Sequence, residues 1–218
     1  MHTLTAEGVI RFTYELQSGP APSDVEIGEL SRWRKELYDR DSIGGDISRY
    51  GAFYGNVSLR TGGADEDVGY RQFIVSCTQT GDNPNPKSSC YCRILRYDHH
   101  NNRVLAIGPC APSSEALTHA AMYDASHDIR AIVHGHDSIL WQWLQQQNAP
   151  ATPPHIDYGT VAMAHAARDV VSRTQASPFR YPGILSMDGH LDGVIAWGDG
   201  PAQATKRYLA AWTASRMG

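Results

Sequence analysis

The sequence predicts an α/β fold, a three-layer α/β/α domain around a central, largely antiparallel β-sheet. Segments with strand character follow one another closely between residues 52 and 110, and such short connections favour antiparallel neighbours. Segments with helical character flank that region, and helices that cover both faces of a sheet produce three layers. A chain of 218 residues can build one substantial core. We therefore expect a single domain over residues 1–218, without internal repeats.

The individual elements follow from local patterns. Apolar residues alternate with polar ones over residues 9–17, which predicts a half-buried strand before the main sheet. Ser23 and Glu26 form a capping box, which predicts a helix to about Asp39. Further strands are expected over residues 52–60, 71–77, 91–98, 103–107, 183–187 and 194–197. Further helices are expected from Ser113 or Ser114 to about residue 126, and over residues 139–147, 160–173 and 202–216.

Composition narrows the class of protein. The hydrophobic content of 41% is compatible with a packed core, and a net charge of −4 without a long basic run argues against nucleic-acid binding. The first ten residues lack a signal-peptide pattern, and no apolar run approaches the ~20 residues of a membrane span. We expect a cytoplasmic protein that binds neither nucleic acid nor membranes.

The four cysteines are Cys77, Cys90, Cys92 and Cys110, and they contain no Cys-x-x-Cys pair. One residue separates Cys90 from Cys92, which is a poor fit to common structural zinc sites. In a cytoplasmic protein we therefore expect buried or partly buried free thiols.

Two histidines at the end of a predicted strand point to a metal site. The apolar run over residues 129–133 leads into His134 and His136, and residues two apart on a strand point to one face. Two such imidazoles can grip a divalent cation, and neutral imidazole suits zinc and neighbouring transition metals. A third histidine, His190, would complete the three protein ligands typical of a catalytic zinc. A His-x-His pair alone is also compatible with core or exposed polar histidines.

Several short segments follow one another from about Tyr54 to Ala204. They are Gly55-Asn56-Val57-Ser58-Leu59-Arg60, Thr78-Gln79-Thr80-Gly81, Pro112-Ser113-Ser114-Glu115 with His119, His134-Gly135-His136-Asp137-Ser138, Tyr158-Gly159-Thr160, Gly189-His190 and Val194-Ile195-Ala196-Trp197-Gly198. Their order and spacing resemble the class II aldolase/adducin family, the sugar-phosphate aldolases and epimerases related to fuculose-1-phosphate aldolase. The resemblance implies the same layered fold. Residues 1–50 do not match, and family members usually begin with a helix.

The resemblance assigns the phosphate of a substrate to three of these segments. The matching residues are Gly55, Asn56, Thr80, Gly81, Ser113 and Ser114. Free amides at a helix start favour an anion, and turn amides and hydroxyls can add hydrogen bonds. Local structure offers alternatives, because serine is a common helix cap and both asparagine and glycine are common in turns.

The resemblance also implies two catalytic residues. Glu115 matches the acid/base that moves the carbon-bound proton of the substrate, and the alternative is a carboxylate that stabilises a helix start. Tyr158 matches a tyrosine that protonates the aldehyde oxygen and crosses from an adjacent subunit, and the alternative is a packed loop aromatic. We therefore expect a homotetramer with shared active sites. His119, on the same helical side as Glu115, is expected to support the site rather than bind the metal.

Together these residues predict a divalent-metal-dependent aldolase, a carbon–carbon lyase. The expected reaction is the reversible retro-aldol cleavage of a small ketose phosphate to dihydroxyacetone phosphate and an aldehyde. The expected cofactor is Zn²⁺, or another divalent cation such as Mn²⁺ or Co²⁺, held by His134, His136 and His190.

Two alternatives to the aldolase stay open. A sugar-phosphate dehydratase, decarboxylase or 4-epimerase would use the same metal site, although epimerase members of the family carry aspartate at the position of Glu115. A non-catalytic scaffold, as in adducin, is disfavoured because adducin-like chains lose metal ligands that are present here.

Overall fold

The computed structural model describes residues 8–63, 66–174 and 180–217. The strands are β1 (Thr13–Gln17), β2 (Gly44–Asp46), β3 (Ala52–Tyr54), β4 (Asn56–Arg60), β5 (Phe73–Ser76), β6 (Tyr91–Asp98), β7 (Arg103–Ile107), β8 (Ala131–His136), β9 (Ala151–Thr152), β10 (Ile184–Met187) and β11 (Gly193–Gly198). The helices are α1 (Asp24–Tyr38), α2 (Ile47–Tyr50), α3 (Ala116–Ala125), α4 (Ser138–Gln146), α5 (Val161–Thr174) and α6 (Pro201–Ser215), with a 3-10 turn at Ser88–Cys90. Within these ranges, no helix has both the length and the hydrophobicity that crossing a membrane requires.

The main sheet is mixed. Its strand order is β1-β7-β6-β5-β4-β8-β11-β10-β9, and β2 pairs with β3 in a small separate ribbon. The pairings from β7 through β10 are antiparallel, but β1 pairs with β7 and β9 pairs with β10 in parallel. The prediction of a largely antiparallel sheet is therefore corrected to a mixed one. Parallel partners are distant in sequence, and a strand's local pattern does not reveal which distant strand it will join.

The N-terminal strand exists, but it differs from its prediction. It begins at Thr13 rather than at Val9, and all of its residues are exposed. Tyr14 and Leu16, the apolar residues of the alternating pattern, are 40% and 36% exposed. The predicted half-buried strand is thus an exposed edge strand, because β1 joins the sheet through β7.

Most other elements lie close to their predicted positions. Strands β6 and β7 span the predicted residues. The strand predicted over residues 52–60 is divided into β3 and β4, because Gly55 between them adopts a positive φ of 80°. The sequence pattern does not predict β2, α2 or β9, since segments this short carry too little periodicity.

Helix α1 begins where the capping box predicts. The Ser23 hydroxyl accepts a hydrogen bond from the Glu26 amide, and the Glu26 carboxylate accepts one from the Ser23 amide. The helix ends before Asp39. Its buried side chains recur at helical spacing, and they are Ile27, Leu30, Arg34 and Leu37.

Helices cover both faces of the main sheet. Successive strand residues alternate between two hydrophobic clusters, so that Ile132 belongs to one and Val133 to the other. The Ile132 cluster contains side chains of α3 and α5, and the Val133 cluster contains side chains of α1, α4 and α6. Helix α3 therefore lies on the face to which the even-numbered residues of β8 point.

Two of the four cysteines form a disulfide, Cys77–Cys110. The prediction of free thiols is therefore wrong for these two, whereas Cys90 and Cys92 are free and at least partly buried, as expected. Cys77 pairs with Pro112 in an isolated bridge, which brings the two cysteines together across 33 residues of sequence. Sequence spacing alone does not reveal such a pairing.

Candidate metal centre

The two histidines of the predicted pair lie in the second half of β8. Strands β4 and β11 flank β8, and Asn56 and Ile195 are the register partners of His134. His134 and His136 are two residues apart, so both point to the face that carries α3. Between them, a Cβ at Gly135 would lie 2.6 Å from the Ser42 carbonyl oxygen, so glycine permits the close packing on the opposite face.

His190 joins the pair from the turn before β11. Its ring centroid lies 5.2 Å from that of His134 and 4.6 Å from that of His136. One ligand nitrogen from each of the three rings lies within 4.8 Å of the other two, and all three side chains are buried. The structure therefore brings together the three residues predicted as metal ligands.

Glu115 lies against two of these imidazoles. Its Oε2 is 3.0 Å from His134 Nε2, and its Oε1 is 3.5 Å from His190 Nδ1. The Asn56 side-chain amide donates a hydrogen bond to Oε2 at 3.0 Å. Burial by itself raises the pKa of Glu115, but the charges and hydrogen bonds of His134 and His190 outweigh burial and hold the pKa well below its usual range. Glu115 is thus a buried carboxylate anion beside the three histidines.

The donor set fits a divalent cation. His134 Nδ1 lies 3.1 Å from the Val194 carbonyl oxygen, which can only accept a hydrogen bond. Nδ1 of His134 therefore carries a proton, and a metal bound at Nε2 would take the place of any proton on that nitrogen. That Nε2 faces His136 Nε2 at 3.1 Å. Imidazole nitrogens that converge in a buried space beside a carboxylate are the donors that zinc and neighbouring metals prefer.

Tyr158 lies at the metal centre of its own chain. Its ring stacks on His190 with centroids 4.5 Å apart, and the residue is 5% exposed. The guanidinium carbon of Arg11 lies 4.9 Å from the centroid of the same tyrosine ring. A Cβ at the next residue, Gly159, would lie 3.3 Å from the Ser114 carbonyl oxygen. The segment therefore packs against its own chain, between His190 and the turn before α3, rather than extending away from it.

Gly55 and Asn56, two of the predicted phosphate ligands, lie where β3 gives way to β4. A Cβ at Gly55 would lie 2.6 Å from Ile43 Cγ1 and 3.1 Å from the His134 carbonyl oxygen, so this position requires glycine. Asn56 is 5% exposed, and its amide holds the Glu115 carboxylate. The structure thus places Asn56 behind Glu115, and a direct contact between Asn56 and phosphate stays a prediction.

Thr80 and Gly81 form part of the turn after β5. The Thr80 hydroxyl donates to the Cys77 carbonyl at 2.8 Å, and a Cβ at Gly81 would lie 2.5 Å from a backbone oxygen of β2. Arg34, only 1% exposed, donates to the carbonyls of Thr80, Gly81 and Asn83 at 2.7, 3.1 and 2.7 Å. This buried guanidinium fixes the turn from helix α1.

Ser113 and Ser114 are buried in the turn before α3, which begins at Ala116 rather than at either serine. The predicted start is early because the Ser113 hydroxyl accepts from the Glu115 amide and so forms a turn ahead of the helix. The Cys77–Cys110 disulfide and the bridge between Cys77 and Pro112 place this turn beside the segment 78–81. A single anion site built from both segments would require this proximity.

A buried polar network lies behind Glu115. His119, one turn further along α3, has its Nδ1 2.8 Å from the Ser58 hydroxyl oxygen, which lies 2.7 Å from the Tyr123 hydroxyl. Burial lowers the pKa of His119 to about 3, so the ring is neutral. His119 is not among the converging metal donors. It joins α3, which Glu115 precedes, to β4, which carries Asn56.

Sequence reasoning missed four residues beside His136. The rings of Tyr50 and Tyr54 lie 4.8 and 5.4 Å from the His136 ring, and burial raises the pKa of both tyrosines, that of Tyr54 to about 12. Asp192 accepts hydrogen bonds from Arg49 and Tyr50. The sequence signal for Asp192 was its position two residues after His190. Arg49 and Tyr50 gave no signal, because α2 has too few residues to show a helical pattern.

Solved structures share this fold. The sugar-phosphate aldolase of Thermotoga maritima has a TM-score of 0.64 at 16% identity, over 88% of this chain and 92% of that chain. An L-fuculose 1-phosphate aldolase has a TM-score of 0.62 at 20% identity, over 91% and 86%. YgbL from Escherichia coli, a proposed aldolase, epimerase or decarboxylase, has a TM-score of 0.62 at 14% identity, over 89% and 88%. No protein with a curated description matches the sequence.

At these identities the structural likeness shows the fold alone, and the family comes from the sequence. The profile of the Class II Aldolase and Adducin N-terminal domain matches residues 50–217. That range is most of the chain, and it includes the three histidines, Glu115 and Tyr158. The chain therefore belongs to the class II aldolase and adducin family.

Proposed function

We propose that the protein is a divalent-metal-dependent aldolase that reversibly cleaves a small ketose phosphate to dihydroxyacetone phosphate and an aldehyde. The observation that carries the proposal is a group of three converging buried imidazoles, two of which contact one buried carboxylate. Aldol cleavage needs a cation to stabilise negative charge and an acid/base beside that cation. Membership of the family and the likeness to aldolases support this class of reaction.

His134, His136 and His190 would hold the metal, with Zn²⁺ as the first choice and Mn²⁺ or Co²⁺ as alternatives. A bound divalent cation supplies Lewis-acid stabilisation of the negative charge that the substrate gains during the reaction. The Val194 carbonyl fixes the His134 tautomer and so keeps one ligand ready for the cation.

Glu115 and Tyr158 would carry the two proton transfers. In the direction of synthesis, the Glu115 carboxylate removes a proton from the hydroxymethyl carbon of dihydroxyacetone phosphate. That carbon then attacks the aldehyde, and the Tyr158 hydroxyl gives its proton to the aldehyde oxygen. Glu115 then releases its proton to solvent and Tyr158 takes one up from solvent, so that the protons balance over the cycle, and each transfer reverses in cleavage. The Asn56 amide supports this role because it orients the carboxylate through Oε2.

The phosphate would bind at the neighbouring segments 78–81 and 111–114. Thr80, Gly81, Ser113 and Ser114 supply backbone amides or hydroxyls there, with Gly55 and Asn56 at the border towards the metal. Arg34 supports this assignment because it binds the carbonyls of Thr80 and Gly81 and so holds the peptide groups of this turn in one orientation.

A dehydratase, decarboxylase or 4-epimerase remains the second candidate, because such enzymes would use the same metal and the same acid/base. The name of YgbL covers two of these reactions as well as the aldolase. The non-catalytic scaffold is disfavoured by the complete set of buried histidines with Glu115.

A product screen tests the proposal. Protein loaded with zinc or manganese is incubated with dihydroxyacetone phosphate and a panel of aldehydes, and new ketose phosphates are detected by mass spectrometry. The matched control is metal-loaded Glu115→Gln protein, which should form product roughly 10² to 10⁴ times more slowly. If protein with bound metal forms no ketose phosphate from any of the aldehydes, this result would count against the aldolase. Loss of water or carbon dioxide from sugar phosphates would then favour the second candidate.

A further inference from the structure

A polar cluster beside the metal centre has no part in the proposed reaction. Asp192 is 1% exposed, and its Oδ2 accepts hydrogen bonds from Arg49 Nε at 2.9 Å, Arg49 Nη2 at 2.5 Å and the Tyr50 hydroxyl at 2.7 Å. Three donors thus converge on one carboxylate oxygen. Such partners are required, because a buried carboxylate without them is strongly destabilising.

The cluster borders the metal centre on the side of His136. The Tyr50 ring lies 4.8 Å from the His136 ring, and Asp192 belongs to the turn before β11. Glu115, by contrast, contacts the other two histidines, His134 and His190. A substrate at the metal centre would therefore meet the acid/base on one side and the Asp192 cluster on another.

Arg49 presents part of its guanidinium to solvent. Its side chain is 47% exposed, and Asp192 engages the edge formed by Nε and Nη2. A guanidinium has five N–H donors, and in the described part of the chain no residue accepts a hydrogen bond from Nη1. The contact with Asp192 fixes the guanidinium plane. Its terminal edge is thus an oriented pair of donors, which matches the two oxygens of a carboxylate.

We propose that Arg49 binds a carboxylate at the end of the substrate away from its phosphate, so that the substrate is a phosphorylated sugar acid. The inference rests on the proposed function, which assigns the phosphate to the turns at Thr80 and Ser114. Because Asp192 already neutralises Arg49, the pair selects by hydrogen-bond geometry more than by net charge. That property suits a carboxylate monoanion better than a second phosphate dianion.

The test compares two ligands that differ in one group. Arabinonate 5-phosphate carries a carboxylate where arabinitol 5-phosphate carries a hydroxymethyl group, and both chains extend beyond the length of dihydroxyacetone phosphate. Calorimetry on the zinc-loaded protein should show arabinonate 5-phosphate binding about tenfold or more tightly, as expected for charge-assisted hydrogen bonds. The variant Arg49→Met/Asp192→Asn should reduce this ratio to about twofold or less, because it removes the donors.

The double variant avoids leaving the Asp192 charge buried and unpaired. Asparagine can still accept from Tyr50, and it tolerates the positive φ of 62° at this position. Arg168→Met is the matched control, because Arg168 is 41% exposed and pairs with Asp169, and it should keep the wild-type ratio. Arg49→Lys keeps the positive charge but lacks the paired N–H donors of a guanidinium, so it should give an intermediate affinity ratio. It replaces the double variant in the test if that variant loses zinc or unfolds.

Each outcome decides the inference. Equal binding of the two ligands by the wild type overturns it. A preference that survives the loss of Arg49 also overturns it, because the carboxylate then binds elsewhere, for example on the cation. If Ser114→Ala leaves the affinity for both ligands unchanged while the preference for the carboxylate ligand still depends on Arg49, the phosphate assignment is wrong and the carboxylate site is correct. If neither ligand binds the wild type, both are wrong.

Discussion

Glu115 shows how neighbours decide the chemistry of a single residue. A fully buried carboxylate would ordinarily take up a proton, but His134, His190 and the Asn56 amide all contact its oxygens. The same contacts place the carboxylate next to the converging imidazoles. The histidines that would hold the metal and the carboxylate that would move the proton can therefore be tested by separate substitutions.

The first prediction concerns the metal ligands. Wild-type protein should bind about one divalent ion per chain, and His134→Ala/His136→Ala should lose both metal and activity, because two of three ligands are gone. Elemental analysis by mass spectrometry measures the metal, and thermal unfolding checks the fold. His100→Ala, which removes an exposed histidine in the turn between β6 and β7, is the control. Full metal occupancy in the double variant would refute the assignment.

The second prediction isolates the acid/base. Glu115→Gln keeps the shape of the side chain but cannot take up a proton, so turnover should fall by roughly 10² to 10⁴. Metal content and affinity for glycerol 3-phosphate should stay close to those of the wild type. Steady-state kinetics alongside metal analysis make the comparison. Near-normal turnover would show that Glu115 only stabilises the start of α3.

At the scale of the elements, helix α1 makes the stability of the fold depend on pH. The Ser23 amide and, after it, Arg93 lower the pKa of Glu26 from about 4.5 to about 2. A folded-state pKa below the unfolded value means that ionised Glu26 stabilises the fold above about pH 4.5, and that this contribution is lost as pH falls towards 2.

Glu26→Gln should therefore lower the free energy of unfolding at pH 7 by about 0.5 to 1 kcal/mol, a modest value because solvent screens a side chain that is 40% exposed. Urea unfolding at several pH values should show the difference shrinking between pH 4.5 and 2. Glu29→Gln, an exposed change on the same helix, should have little effect at any pH. A difference that does not vary with pH would contradict the assignment.

The fourth prediction concerns the link between the two proposed phosphate segments. The Cys77–Cys110 disulfide closes a loop of 33 residues, so its loss should lower the free energy of unfolding by about 2 to 4 kcal/mol. Urea unfolding with and without a dithiol reductant measures the loss. Cys77→Ala/Cys110→Ala should be insensitive to the reductant, whereas Cys90→Ala should respond like the wild type. A wild type without a cross-linked peptide in mass spectrometry would refute the pairing.

At the scale of the whole molecule, the question is whether one chain builds a complete site. The family resemblance predicts a homotetramer in which Tyr158 serves an adjacent subunit, but the ring stacks on His190 of its own chain. We therefore expect Tyr158 to act within its own chain, whatever the oligomeric state.

Subunit mixing tests this expectation. Glu115→Gln chains and Tyr158→Phe chains are each expected to be inactive, and mixed oligomers should stay inactive, since every site would lack one of the two groups. Activity assays on oligomers whose mixing is verified by native mass spectrometry provide the measurement. Wild-type chains mixed with Glu115→Gln chains are the control and should keep activity in proportion. Recovery of activity in the mixed variants would show that Tyr158 crosses between subunits.

The sequence by itself determined the layered α/β plan, the start of α1 and the identity of the converging histidines. These features depend on local patterns, such as the capping box at Ser23 and the apolar run that leads into His134. Local patterns can be recognised without knowledge of the partner strands. The family could also be recognised from the order of short segments, which is a property of the chain alone.

Only the tertiary structure decided which distant groups meet. The parallel pairing of β1, the disulfide between Cys77 and Cys110, the hold of Arg34 on the Thr80 turn and the cluster around Asp192 all join residues far apart in sequence. Each contact depends on the strand order and on which side of the sheet a helix covers. A residue's own neighbours in sequence do not encode those choices, because they are set by the packing of the whole chain.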